Sequence, residues 1–151
     1  MVMLTKSPEE TIKFGQRLGA FLKRGDIIGL VGDLGSGKTT LTKGIAKGLN
    51  IKNTKYINSP SFVIVKEYEG RIPLYHFDIY RLNSVTALID IGYEEYFYSN
   101  GVVVIEWAKK IKDILPKEHL IIELNIADAG AREILLKPSG KRYAKLIKNV
   151  I

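Results

Sequence analysis

At 151 residues the chain suits one domain around one core, residues 1–151, and its 46% hydrophobic and 26% charged make-up is that of a globular protein. The absence of cysteine excludes disulfides, thiolate zinc sites and thiol catalysis. No run approaches the roughly 18 apolar residues of a membrane helix, and the start carries no secretory pattern, so the expectation is a cytoplasmic chain with no membrane partner.

The elements follow in chain order. Ser7-Pro8-Glu9-Glu10 reads as a helix start: a capping hydroxyl, proline at the first helical position, then acids at the positive end of the dipole. Ile12, Leu18, Phe21 and Leu22 recur at near-helical spacing until Arg24-Gly25. Asp26 to Val31 reads as a buried strand, and Lys38 to Leu49 as a helix with Leu41, Ile45 and Leu49 on one face. Phe62 to Tyr68 and Pro73 to Tyr80 read as two strands of a hairpin turning through Glu69-Gly70-Arg71-Ile72. Ser84 caps a short helix through Ile89, and Gly92 to Phe97 forms another. Val102 to Glu106 is a buried strand ending in an acid. A helix is expected from about Ala108 to Leu115, strands at Leu120 to Ile126 and Glu133 to Leu136, and a terminal basic helix capped by Ser139. Strands alternating with helices predict an α/β fold: a P-loop NTPase-like three-layer sandwich with a largely parallel central sheet and added antiparallel strands.

The net charge of +7 admits nucleic acid, an acidic protein or a polyphosphate as partner. The lysines are scattered, however. Solvated helix faces account for Lys109-Lys110-Ile111-Lys112 and for the group between Lys137 and Lys148 at least as well as a binding stripe does.

Chemistry concentrates in Gly32-Asp33-Leu34-Gly35-Ser36-Gly37-Lys38-Thr39, which matches Gly-x-x-x-x-Gly-Lys-Thr between a strand and a helix. Gly32, Gly35 and Gly37 let the backbone curl so that successive amides converge on phosphate oxygens. The dipole of the helix opening near Lys38 favours the same anion. Lys38 adds a point charge that spans the terminal phosphates, and the Thr39 hydroxyl is placed to ligate Mg²⁺. The bland alternative, glycines that merely turn a strand into a helix, does not explain the lysine and the hydroxyl together.

Such a site needs an acid at the end of a neighbouring strand, and Glu106 answers that demand, although aspartate is commoner there. Asp78 is the second candidate. If Phe77 and Ile79 point into the core, His76, Asp78 and Tyr80 share the other face, where Asp78 would orient the attacking water or join the metal site. The structural alternative is an Asp78 paired with Arg71 or Arg81. His76 reads as a hydrogen-bonded structural residue. Trp107 either packs in the core or presents its ring to a partner or the nucleotide. Tyr93, Tyr96 and Tyr98 fit an interface and core packing equally.

Several strings stand in the order seen in the TsaE (YjeE) family of bacterial P-loop ATPases: Gly-Asp-Leu-Gly-Ser-Gly-Lys-Thr-Thr-Leu (32–41), Ser-Pro-Ser-Phe (59–62), Leu-Tyr-His-Phe-Asp-Ile-Tyr-Arg-Leu (74–82), Gly-Tyr-Glu-Glu-Tyr (92–96) and Val-Ile-Glu-Trp-Ala (104–108). The chain resembles that family over nearly its whole length. The resemblance implies an accessory ATPase in the synthesis of threonylcarbamoyladenosine beside the tRNA anticodon, acting with TsaD and TsaB and reaching tRNA through that complex. It further implies ATP or ADP and Mg²⁺ as cofactors. The nucleotide would be bound by Asp33, Leu34, Gly35, Ser36, Gly37, Lys38, Thr39 and Thr40, with Arg132 near it and Thr11 at its base. Thr39 and Glu106 would hold the metal, Lys38, Asp78 and Glu106 would carry catalysis, and Ser59 to Phe62 would form a switch-like segment near the γ-phosphate. Ser61 departs from the family's usual threonine, keeping the hydroxyl but losing the methyl that stiffens the rotamer.

Three other classes compete. A Ras-like GTPase would need Asn-Lys-x-Asp, which is absent, and its Asp-x-x-Gly should follow the phosphate loop, whereas Asp26 to Gly29 precedes it. A small-molecule P-loop kinase shares the loop and the strand-end acid but usually adds an arginine-rich lid, and no arginine cluster occurs here. A nucleotide-sensing subunit without catalysis is the third.

Overall fold

The computed structural model describes all residues, Met1–Ile151. Seven strands form one sheet in the order β1-β7-β6-β2-β5-β4-β3. They are β1 (Val2–Thr5), β2 (Ile27–Val31), β3 (Val65–Tyr68), β4 (Leu74–Asp78), β5 (Val102–Glu106), β6 (His119–Ile126) and β7 (Arg132–Ser139). The central four, β6, β2, β5 and β4, run parallel, and β1, β7 and β3 join antiparallel. The α/β sandwich with a mostly parallel centre and antiparallel additions is therefore as expected from the sequence.

Helices α1 (Pro8–Phe21), α2 (Lys38–Gly48) and α5 (Lys141–Val150) cover one face of the sheet. The short α3 (Val85–Asp90) and α4 (Tyr93–Phe97), with 3₁₀ turns over Ala108–Ile114, cover part of the other. Alternation along the strands assigns the faces. Leu74, Val102 and Val104 join the larger core under α1 and α2, while Phe77, Val103 and Ile105 join the smaller one under α3 and α4. No helix is long and apolar enough to cross a membrane.

Ser7 caps α1 as its sequence indicates, its side chain accepting from Glu10 N, while Glu10 Oε2 accepts from Lys6 N at 2.7 Å. Helices α1 and α2 meet through glycines. A Cβ on Gly15 would lie 2.7 Å from Leu41 O and 2.9 Å from the Gly44 Cα; one on Gly48 would lie 2.7 Å from the Gly19 Cα. Only bare backbone allows that approach, and it pulls the start of α2, and with it the phosphate loop, tight against α1. Arg71 Nη2 then donates to Gly19 O, Ala20 O and Leu22 O, capping the carbonyl end of α1 beside the bond from Leu22 N to Gly19 O.

Three local expectations differ from what the structure shows, and one strand was not expected at all. Val2–Thr5 forms a strand, β1, that the short N-terminal string did not announce; its partner β7 supplies the pairing. Phe62 to Ile64 turns instead of extending, because Pro60 O accepts from both Val63 N and Ile64 N, and β3 begins only at Val65. The stretch after Trp107 coils as 3₁₀ turns with a break at Ile111, not as an α-helix. Ser139 ends β7, and Gly140 at φ 97° opens α5 without a side-chain cap.

Candidate functional site

The cleft lies where the C-terminal ends of β2, β4 and β5 meet the N-terminus of α2. Gly35 (φ 79°) and Gly37 (φ 105°) adopt the left-handed backbone that bends the loop from β2 into α2. Lys38 is only 5% exposed and reaches back over the loop, its Nζ donating to Gly32 O at 2.7 Å and Asp33 O at 2.9 Å. Burial lowers its pKa from the usual lysine value, partly offset by the nearby carboxylates of Glu106, Asp78 and Asp33.

Thr39, on the first turn of α2, donates from Oγ1 to Glu106 Oε1 at 2.8 Å across the gap to β5. The parallel register sets Asp78 directly beside Glu106, so both acids sit at matching strand ends. Ser59 donates to Asp78 Oδ2, and Tyr80 N donates to Asp78 Oδ1 at 2.9 Å. Asp78 pairs with neither arginine considered above. Arg71 caps α1, and the Arg81 guanidinium lies 4.1 Å from the Phe62 ring centroid.

The two acids behave differently. Burial raises the pKa of Asp78, and the adjacent Glu106 charge pushes it the same way, against the hydrogen bond from Tyr80 N. For Glu106 burial also pulls upward, but the contact with His76 and the bond from Thr39 outweigh it and hold the carboxyl below the usual range. The pair's negative charge therefore settles on Glu106 first.

His76 is fully buried on the same face, with Nε2 3.3 Å from Glu106 Oε1. Neither ring nitrogen has hydrogen-bond geometry with any protein group, so the structural hydrogen bond expected for it is replaced by this contact with an acid of the cleft. Trp107 is half-buried at φ 66°. Its ring centroid is 4.2 Å from Lys38 Nζ and 4.8 Å from that of Tyr80, which places it in the cleft wall.

Leu34, Gly35, Gly37, Lys38, Thr39, Thr40, Ser59, Asp78, Glu106 and Trp107 line one cleft of about 220 Å³. Of the remaining expected residues, Ser36 is buried behind the loop and Asp33 is exposed at its tip. Ser61 is absent from the lining, which uses Ser59 instead, and Phe62 is 81% exposed. Thr11 and Arg132 meet Gly37 and Thr40 in a separate small recess beside the loop. There Thr11 Oγ1 shares a 2.8 Å hydrogen bond with Thr5 Oγ1, and Arg132 donates to Ser36 O at 2.9 Å and Gly35 O at 3.0 Å. The arginine thus braces the carbonyl side of the loop, where the Ser36 amide is itself bonded to Asp33 O.

Strand, glycine loop, helix and facing acids define a P-loop NTPase-like α/β protein. The family model described as "Threonylcarbamoyl adenosine biosynthesis protein TsaE" matches residues 5–134. The chain belongs to the TsaE family. It is similar to the tRNA threonylcarbamoyladenosine biosynthesis protein TsaE of Bacillus subtilis, at 46% identity over 97% of this chain and 90% of that one. The protein of the same name from Treponema pallidum is 40% identical over 89% and 98% of the two chains. Among solved structures, Bacillus subtilis YdiB matches with a TM-score of 0.82 and 40% identity, covering 99% of this chain and 93% of that one.

Proposed function

We propose that this chain is a Mg²⁺-dependent ATPase serving tRNA threonylcarbamoyladenosine biosynthesis, the process for which its relatives are named, as an accessory of TsaD and TsaB. The observation that carries the reading is the convergence of Lys38, Thr39, Asp78 and Glu106 on one cleft at the N-terminus of α2.

The donor set suits magnesium. Thr39 Oγ1 and Glu106 Oε1 are hard oxygens 2.8 Å apart, and no group of three or more His, Cys, Asp or Glu side chains forms an all-protein cage. Mg²⁺ typically takes one or two protein oxygens and completes its shell with phosphate and water. Thr39 and Glu106 would hold the ion, which would neutralise charge developing on the phosphates.

The remaining work falls to the chain's own groups. The amides of Gly35 to Thr39 receive phosphate oxygens, and Lys38 exchanges the carbonyls of Gly32 and Asp33 for the same anion. Asp78, fixed by Ser59 and by Tyr80 N, holds the attacking water, and its raised pKa suits it to take a proton. His76 keeps the Glu106 carboxylate oriented, and the Trp107 ring shields Lys38 from solvent.

The test is phosphate release from ATP by the chain alone and with TsaD–TsaB. Mg²⁺-dependent release, raised by the partners, is the expected result. ATP consumption that phosphorylates a small acceptor would overturn this reading in favour of a kinase.

A further inference from the structure

We infer that the free edge of β1, with the groove beside it, docks an extended acidic segment of a partner protein as an additional strand of the sheet. β1 is outermost and pairs only with β7. Met1 exchanges both backbone bonds with Leu136, at 3.2 and 2.8 Å. The antiparallel ladder then alternates, so that Val2 and Leu4 turn their N–H and C=O outward. Edge strands are commonly guarded by lysine, proline or a bulge, and Val2–Thr5 has none of these. The side chains of Val2 and Leu4 stand 61% and 53% exposed on the face of the sheet opposite α1.

On the opposite face, β1 and α1 bound a groove of about 640 Å³, with Met3, Thr5 and Ala20 beside Lys13, Gln16 and Arg17. Lys13 and Arg17 lie one helical turn apart, exposed, and neither is in any ion pair of the protein. Glu10, the acid on that wall, is turned toward Lys6 N.

These features select the occupant. Unpaired strand groups are satisfied by another extended backbone, which nucleic acid lacks. A second copy of this chain would bring its own +7 charge and the same two cations. An added strand alternates its side chains between the faces, so acids at every second position meet Lys13 and Arg17 while apolar residues between them cover Val2 and Leu4.

The experiment is fluorescence anisotropy of a short labelled peptide alternating glutamate and valine, titrated with the full chain. Saturable binding is expected, with none for the lysine–valine counterpart. Leu4→Pro removes an outward N–H without removing a bond to β7 and should weaken binding roughly tenfold or more. The double variant Lys13→Glu/Arg17→Glu should reverse the preference to the lysine–valine peptide; it decides the matter if Leu4→Pro fails to fold. ATP turnover should be unchanged in both, since neither touches the cleft. Equal binding of both peptides, or no change in either variant, would overturn the inference. So would an oligonucleotide held by Lys13 and Arg17 regardless of Leu4→Pro, or self-association abolished by Leu4→Pro.

Discussion

Lys38 and Asp78 show how the cleft sets local stability against chemistry. Lys38 is buried, loses basicity to that burial, and is steadied by loop carbonyls, by nearby carboxylates and by the Trp107 ring. Lys38→Ala is therefore expected to leave the fold intact while lowering ATP turnover by about a hundredfold or more, read by phosphate release and nucleotide binding. Asp78 has a raised pKa, so the folded chain binds its proton more tightly than the unfolded chain does. The sign follows: Asp78 favours the fold most at acid pH, and that advantage is lost as pH rises through its folded pKa. Above it, burial of the ionised carboxylate counts against the fold. Asp78→Asn should consequently raise the melting temperature at pH 7 and abolish turnover; a lower melting temperature would show that the carboxylate stabilises the fold. A group kept at a cost in stability is expected where it serves function.

At the scale of elements, the packing of α1 on α2 governs where the phosphate loop sits. Gly15, Gly19, Gly44 and Gly48 interleave so closely that a Cβ on any of them meets backbone, which cannot rotate away. Gly15→Ala should destabilise the protein by roughly 1–3 kcal/mol in urea unfolding, as overpacked cores do. It should also weaken nucleotide binding, because the helices must part and carry the loop with them. An unchanged unfolding midpoint would mean that the helices have slack. The paired Gly-x-x-x-Gly spacings were visible in the sequence, and their meaning was not. Spacing marks a smooth helix face, but which helix lies against it is settled by the sheet that holds both.

Across the whole molecule, the last helix is tied to the first parallel strand by buried polar contacts. Tyr143 Oη accepts from Ile27 N at 2.7 Å, and Arg142 Nη2 pairs with Asp26 Oδ2 at 2.6 Å. Burial pushes the Tyr143 phenol well above its ordinary value, so the fold keeps it neutral. Its contribution is complete below about pH 10 and is lost as pH rises further, when the unfolded chain ionises first. Tyr143→Phe should cost about 1–3 kcal/mol by stranding Ile27 N, and should remove that alkaline loss, both measured by thermal melts against pH.

The same range of scale separates what was legible in the residues from what was not. The phosphate loop, the strand-end Glu106, the acid at Asp78 and the alternation of strands and helices all follow from short-range rules, because spacing and residue type carry them. The turn at Phe62 to Ile64, the pairing of Ser59 with Asp78, the contact of His76 with Glu106 and the existence of β1 do not. Each depends on which distant segment arrives alongside. Strand β1 is only four residues and becomes a strand because β7 is there to pair with it. Glu106 gains its partners because parallel register sets Asp78 beside it and the glycine-tight helix pair brings Thr39 across. Local chemistry names the groups; long-range pairing and packing decide which of them meet.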